Sequence, residues 1–196
     1  MLHAMEPPNS LAPALAIQGW MEPHELAWLA TVAARSDLIV EIGAWKGRST
    51  RVLADHARGS VYVVDNWCDA SERRDLRNDE LATRGPEAIE AEWRSNVQDA
   101  LTAGRVELFR GNSPDVALAL AAALPDAPDF IFIDADHSLE GVRADIRAYE
   151  VLVAPGGILA GHDYTTDNHP GVRLAVDEHF GPLVRRGPGS IWWVRL

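Results

Sequence analysis

Glu41-Ile42-Gly43-Ala44-Trp45-Lys46-Gly47-Arg48-Ser49-Thr50 is the stretch on which the fold turns. Ahead of it, Leu38-Ile39-Val40 is a short apolar, β-branched run of the kind that fills a central parallel strand. Behind it, Arg48 to Ala57 has helical spacing. The glycines fall in the connection, where they can take a positive φ and let the backbone approach a ligand, ahead of the free first amides of the helix. A strand running through such a turn into a helix predicts an α/β fold with a polar ligand, a nucleoside above all, at the turn.

Working outward, the 196 residues suit one α/β domain, and 47% hydrophobic residues suffice for a core. With 18 basic against 29 acidic residues the net charge is −11, which argues against nucleic acid as a partner. Cys68 is the sole cysteine, so no internal disulfide can form and a reducing, cytoplasmic setting is expected. The N-terminus lacks a basic n-region, Pro13 interrupts its apolar stretch and no uncharged run is long enough to cross a bilayer, so no membrane association is expected. Lys46 is the one lysine, and its place beside the turn rather than in an apolar pocket sets Schiff-base chemistry aside.

Residues 1–36 read as a helical extension: a Pro-interrupted leader, then a helix from Glu22 to Ala34 that packs against the sheet or partly covers the site. Residues 37–196 form the main domain. Strand-like runs at Leu38–Ile42, Val61–Val64, Val106–Phe109, Phe130–Ile133 and Ile158–Ala160 alternate with helical ones. This pattern predicts a Rossmann-like, doubly wound, mostly parallel sheet with helices on both faces. Leu183–Arg186 and Ile191–Leu196, joined by Gly187-Pro188-Gly189, predict a C-terminal antiparallel hairpin. The polar stretch 68–90, with Gly85-Pro86 inside it, reads as a lid.

Val63-Val64-Asp65 ends the second strand, and Asp65 lies 22 positions after Gly43. An acid about 20 residues past a glycine turn is placed to accept hydrogen bonds from ribose hydroxyls. The third glycine of a dinucleotide fingerprint is missing, and Trp45 would crowd a pyrophosphate. Lys46 is followed by Gly47-Arg48, not by Ser or Thr, which disfavours a P-loop. A nucleoside without phosphates fits best.

The fourth strand runs into Asp134-Ala135-Asp136-His137 and the fifth into Gly161-His162-Asp163-Tyr164, which places His162 and Asp163 near Asp134. Ligands of open α/β sheets bind at that edge. Asp136 or Ser138 can cap the helix that begins near Glu140, but one cap does not use every acid and histidine there. Asp134, His162 and Asp163 are a candidate divalent-cation set; alternatively, a histidine base is oriented by a carboxylate.

Together, Glu41-Ile42-Gly43, Val64-Asp65, Asp134-Ala135-Asp136-His137, Pro155-Gly156-Gly157 and Gly161-His162-Asp163-Tyr164 resemble the class I S-adenosylmethionine-dependent methyltransferases. Within them the chain is most similar to the small bacterial group related to macrolide-sugar and cephalosporin-pathway O-methyltransferases. The resemblance runs from about Leu38 to the terminal Ile191-Trp192-Trp193-Val194-Arg195. It implies that Glu41, Gly43 and Ser49 hold the methionine end of S-adenosyl-L-methionine, Asp65 the ribose, and Trp67, Asn112 and Ser113 the adenine. Asp134 then lies nearest the transferring methyl. Metal-dependent relatives carry an acidic or Asp-Asn pair where this chain has His162-Asp163, and histidine is a poor magnesium ligand, so a metal is not required by the resemblance. Methyl transfer then assigns His137 or His162 as general base, with Asp134 and Asp163 orienting it.

The expected activity is methyl transfer to a hydroxyl of a small molecule, a sugar or natural product, by a chain whose exposed N-terminal helix and Trp-rich last strand suit a homodimer. Two other readings share the fold. A non-catalytic adenosyl-ligand-binding module has no need of the acid-histidine cluster. A nicotinamide-dependent oxidoreductase lacks its third glycine, and Tyr149 is followed four positions on by Val153 rather than lysine.

Overall fold

The computed structural model describes residues 9–68, 79–165 and 167–196. Its sheet has seven strands: β1 Leu38–Ile42, β2 Ser60–Asp65, β3 Val106–Arg110, β4 Phe130–Ile133, β5 Ile158–Gly161, β6 Arg185–Arg186 and β7 Trp192–Arg195. They lie in the order β3-β2-β1-β4-β5-β7-β6. β1 to β5 pair in parallel, while β7 runs antiparallel to both β5 and β6. All five expected parallel strands are present, as is the C-terminal hairpin, whose turn is closed by Gly187 N donating to Ile191 O at 2.9 Å.

The central strands are apolar on both sides because both sides are covered. Every residue of β1 and β4 is buried. Along β1 the side chains alternate. Ile39 joins the core under α2 (Pro23–Ala33), α3 (Arg48–His56) and α5 (Pro86–Asn96); Val40 and Ile42 join the core under α7 (Ser113–Ala123), α8 (Leu139–Tyr149) and α9 (Pro170–Phe180). Glu41, two residues from Ile39, therefore points into the α3 face, inside an otherwise apolar layer.

The N-terminal segment shares this core: Leu26, Leu29 and Ala33 of α2 are fully buried in the same cluster as Ile39 and Phe130. A short helix, α1 (Ala12–Leu15), precedes it. The stretch expected to be a lid is mostly helical where it is described, as α4 (Asp79–Arg84) and the start of α5, while 69–78 lie outside the described residues. Ile89 and Trp93 of α5 are fully buried, so this half of the stretch is core rather than loop; Gly85-Pro86, read as a loop signal, begins α5 with proline in its first turn. A short helix, α6 (Gln98–Thr102), leads into β3. No helix among the described residues is long and apolar enough to cross a membrane.

Lateral bonds bring the strand ends to one edge. Gly43 N donates to Val64 O at 2.8 Å, Asp134 N to Ile42 O at 2.7 Å and His162 N to Ile133 O at 3.1 Å. The chain reverses its direction of winding between β1 and β4, the crevice where open α/β sheets bind ligands. Gly43 has φ +86°, and a Cβ there would lie 2.1 Å from the Asp134 carbonyl oxygen, so this approach of the two strand ends requires glycine.

Candidate active site

Trp45, Trp67 and Asp163 are the non-glycine residues with positive φ among the described residues, at +49°, +51° and +61°. They follow the ends of β1, β2 and β5. Such backbone costs roughly 1–3 kcal/mol and gathers at functional sites, so the strained positions mark the edge that the glycine turn also marks.

Asp65 organises that turn. Its carboxylate accepts from Ala44 N (2.7 Å), Trp45 N (3.0 Å) and Trp67 N (2.7 Å). Burial raises its pKa, and these backbone bonds oppose the rise. The spacing of 22 residues thus brings the acid to the turn as expected, but its oxygens face amides of the chain itself. Trp67 is buried against Trp93, with its indole N–H donating to Trp45 O at 2.8 Å.

Glu41 is fully buried. One of its oxygens accepts from Thr50 Oγ1 at 2.5 Å, Ser49 bonds the same carboxyl, and Oε1 has no hydrogen-bond partner. Burial, reinforced by Asp134 and Asp65, outweighs the Ser49 and Thr50 bonds and pushes the pKa up to about 8, so the group rests neutral at pH 7. Asn112 and Ser113 stand at the end of β3. Asn112 is exposed and bonds Asp115 (3.0 Å), while the Ser113 hydroxyl donates to Asp145 of α8.

The second constellation forms as the sequence predicts. His137 Nε2 lies 3.3 Å from Asp134 Oδ1 and 3.1 Å from Asp163 Oδ2, and the His137 ring stacks on His169 at 4.3 Å. His162 Nδ1 lies 3.6 Å from Asp163 Oδ1 and 3.9 Å from Asp134 Oδ1. Asp134, His162 and Asp163 bring one donor atom each within 4.8 Å of one another, and so do His137, Asp163 and His169. Burial lowers the pKa of His137, but its bond to Asp134 and the charges of Asp134 and Asp163 more than reverse this. The Ser138 hydroxyl caps α8 through Gly141 N, and Asp136 accepts from Ser138 N. The capping role falls on these two, leaving Asp134 and His137 to the site.

Glu25 was not singled out from the sequence, yet it enters this cluster from α2. Its Oε1 meets His162 Nε2 at 3.1 Å, and Ser190 Oγ meets the same nitrogen at 2.9 Å. Burial disfavours every charge here, but mutual attraction prevails: Glu25 and Asp163 fall to about 2 and His162 rises to about 11. Asp134 and Asp163 favour the charged form of both histidines, which differ in access: His162 is buried with Nε2 against Glu25 and Ser190, and His137 is partly exposed. Glu25 was hidden because its signal is ordinary: an acid in the first turn of a helix reads as a cap, and its Oε2 does accept from Glu22 N at 2.7 Å.

Asp145 also escaped the sequence reading. It is buried in α8 and carries an oxygen without a partner, and burial lifts its pKa to about 6. The folded state binds the proton more tightly than the unfolded chain, so stability falls as pH rises from about 4 to 6 and then levels. Asp145→Asn removes this ionisation. Urea unfolding at pH 4.5 and 7 is expected to show wild-type stability falling more than the variant's across that interval, by no more than roughly 3 kcal/mol.

A family model described as a methyltransferase domain matches residues 40–164, the span that runs from Glu41 and the glycine turn to Asp163. An uncharacterized protein of Acanthamoeba polyphaga mimivirus is 26% identical over 144 residues, or 72% of this chain; the match spans 58% of that protein's length. The fold is shared with an O-methyltransferase from Bacillus cereus solved in complex with S-adenosylhomocysteine, with a TM-score of 0.63 and 23% identity over 95% of this chain and 87% of that one. It is shared also with the O-methyltransferase TomG of Streptomyces achromogenes, involved in tomaymycin synthesis and solved with S-adenosylmethionine, with a TM-score of 0.64 and 17% identity over 90% and 81%. With its family match running from the middle of β1 to the residue after Asp163, the chain belongs to the methyltransferase-domain family.

Proposed function

We propose that the protein is an S-adenosylmethionine-dependent O-methyltransferase that methylates a hydroxyl of a small molecule, a sugar or other natural product. The observation that carries this reading is the meeting of two half-sites at Gly43: a turn with a buried, unpartnered carboxyl oxygen on Glu41 abuts the strand end that bears Asp134 and His137. A module that only bound an adenosyl ligand would gain nothing from the second half.

The residues present fit the cofactor. Glu41 Oε1 is an acceptor awaiting a donor, and the α-ammonium of the methionine end is one; a cation there draws the neutral Glu41 to its carboxylate. Gly43 and Ser49 flank that oxygen. Asp65 and Trp67 shape the ribose side, Asn112 and Ser113 the adenine side. Bound there, S-adenosylmethionine supplies an activated methyl group on a sulfonium. The chain aligns the acceptor oxygen with the carbon–sulfur bond, and the acceptor's proton passes to His137 Nδ1, while the Nε2–H of the resulting imidazolium is held by Asp134 and Asp163. The products are the methyl ether and S-adenosylhomocysteine.

Asp134, His162 and Asp163 are the residues that would hold a divalent ion, and the mixed nitrogen and oxygen donors suit manganese or zinc better than magnesium. An ion there would lower the pKa of the acceptor hydroxyl. At the described end of the stretch read as a lid, α4 is tied to the glycine turn by Lys46 Nζ, 2.7 Å from Glu80 Oε2. Trp20, 44% exposed beside Trp45, gives a homodimer an apolar anchor, and the unpaired Cys68 suits the cytoplasm.

Isothermal titration with S-adenosylhomocysteine tests the cofactor half: one site of micromolar affinity is expected, weakened at least tenfold in Glu41→Ala. Absence of binding by the wild type overturns the reading. A panel of hydroxylated sugars and phenols with methyl-labelled cofactor then reports the transfer, and label appearing only on amines would move the assignment to N-methylation.

A further inference from the structure

Glu25 is 3% exposed and spends both oxygens. Oε2 accepts from Glu22 N; Oε1 accepts from Ser190 N (2.8 Å) and Ser190 Oγ (3.2 Å) and faces His162 Nε2 (3.1 Å). The chain is moulded to this carboxylate. Gly189 has φ +60°, and a Cβ there would lie 2.2 Å from Glu25 Oε1. Ser190 Oγ also accepts from Asp163 N at 3.3 Å, which links the same contact to the strained residue beside His162. One nitrogen of the His162 ring is thus anchored in the scaffold between α2 and the β6–β7 turn. The other, Nδ1, faces Asp134 and Asp163.

Taking a carboxylate out of water costs several kcal/mol, and a neutral side chain would fill the space with less penalty. Its place opposite the ring nitrogen that faces the site is that of a group fixing the orientation of the ring. We propose that Glu25 is a positioning residue: by binding Nε2 of His162 it fixes the ring so that Nδ1 is presented to Asp134 and Asp163. The N-terminal helix is then part of the active centre rather than a cover over it. The assignment of Nε2 stands whether a proton or a divalent ion sits at Nδ1, while its consequence for catalysis rests on the methyl-transfer reading.

Imidazole nitrogen resonances of the full-length, ¹⁵N-labelled protein test the first part independently of any activity. In the wild type, His162 Nε2 is expected to be protonated and slow to exchange. In Glu25→Gln that proton is expected to exchange at least tenfold faster and the ring nitrogens to shift, with S-adenosylhomocysteine affinity within about threefold. An unprotonated Nε2 in the wild type, or an unchanged His162 signature in Glu25→Gln, overturns the proposal. If Glu25→Gln does not fold, Ser190→Ala decides: with Glu25 still in place Nε2 keeps its proton, and loss of that proton overturns it. With an acceptor that the wild type turns over, kcat of Glu25→Gln is expected to fall 10–100-fold with little change in KM for S-adenosylmethionine, as when the partner of a functional histidine is removed. Failure of S-adenosylhomocysteine to bind the wild type would instead remove the methyl-transfer reading and leave the ring assignment standing.

Discussion

Replacing Asp65 with alanine is expected to weaken S-adenosylhomocysteine binding at least 100-fold and to destabilise the fold by roughly 3 kcal/mol or more. The reason is the number of donors the carboxylate serves. Ala44 N, Trp45 N and Trp67 N all point at it, and the first two belong to the turn that carries Glu41 and Gly43 into α3. Each buried donor left unpaired costs about 1–3 kcal/mol, and two of these amides belong to residues whose backbone is already strained, at Trp45 and Trp67. Without the anchor the turn relaxes, and the oxygen of Glu41 that awaits a donor loses its frame. A residue that merely touched ribose hydroxyls would behave differently: its loss would weaken binding but spare the melting temperature. Calorimetry with S-adenosylhomocysteine and urea unfolding on the same variant separate the two roles. Wild-type stability with weak binding makes Asp65 a direct contact, and binding within threefold of wild type removes it from the site altogether.

Asp65 also shows what the sequence carries and where it stops. Periodicity and β-branched runs placed β1 to β5 within a residue or two, because buried parallel strands need apolar residues on both faces and little else competes for those runs. The interval from Gly43 to Asp65 located the acid at the turn, since one strand–helix–strand unit has a nearly fixed length. It did not say whether the carboxylate would face a ligand or the amides of Ala44 and Trp45, a matter of side-chain direction at the end of β2. Helix α5 was hard to read from composition because Glu87, Glu90, Glu92 and Arg94 dominate it while its apolar buried stripe is only Ile89 and Trp93. Glu25 was beyond local reading altogether. Its partners His162 and Ser190 are 137 and 165 residues away, and only the closed sheet brings α2 to the end of β5.

The same contact decides between the two histidines, and the second large effect follows from it. His137→Ala is expected to lower kcat by about 10²–10⁴-fold, the usual worth of a positioned general base, while leaving S-adenosylhomocysteine affinity within about twofold. His137 qualifies on geometry. Its Nε2–H is held by Asp134 and Asp163, which leaves Nδ1 to take the acceptor's proton, and its side chain is 33% exposed, so an acceptor can reach it. His162 is only 7% exposed and has both ring nitrogens engaged, Nε2 by Glu25 and Ser190 and Nδ1 facing Asp163 and Asp134. His162→Ala should act on folding as well as on rate, because it strands the buried carboxylate of Glu25, a loss of about 3–5 kcal/mol for a broken buried pair. The two variants are thus expected to separate in unfolding free energy, which His162→Ala lowers and His137→Ala leaves near the wild-type value. Added imidazole should restore part of the rate to His137→Ala, since the vacated space opens to solvent, and none to His162→Ala. A His137→Ala variant that keeps more than a tenth of the wild-type kcat would shift proton removal from His137 to its neighbours at that edge, the carboxylates of Asp134 and Asp163 and the His169 ring.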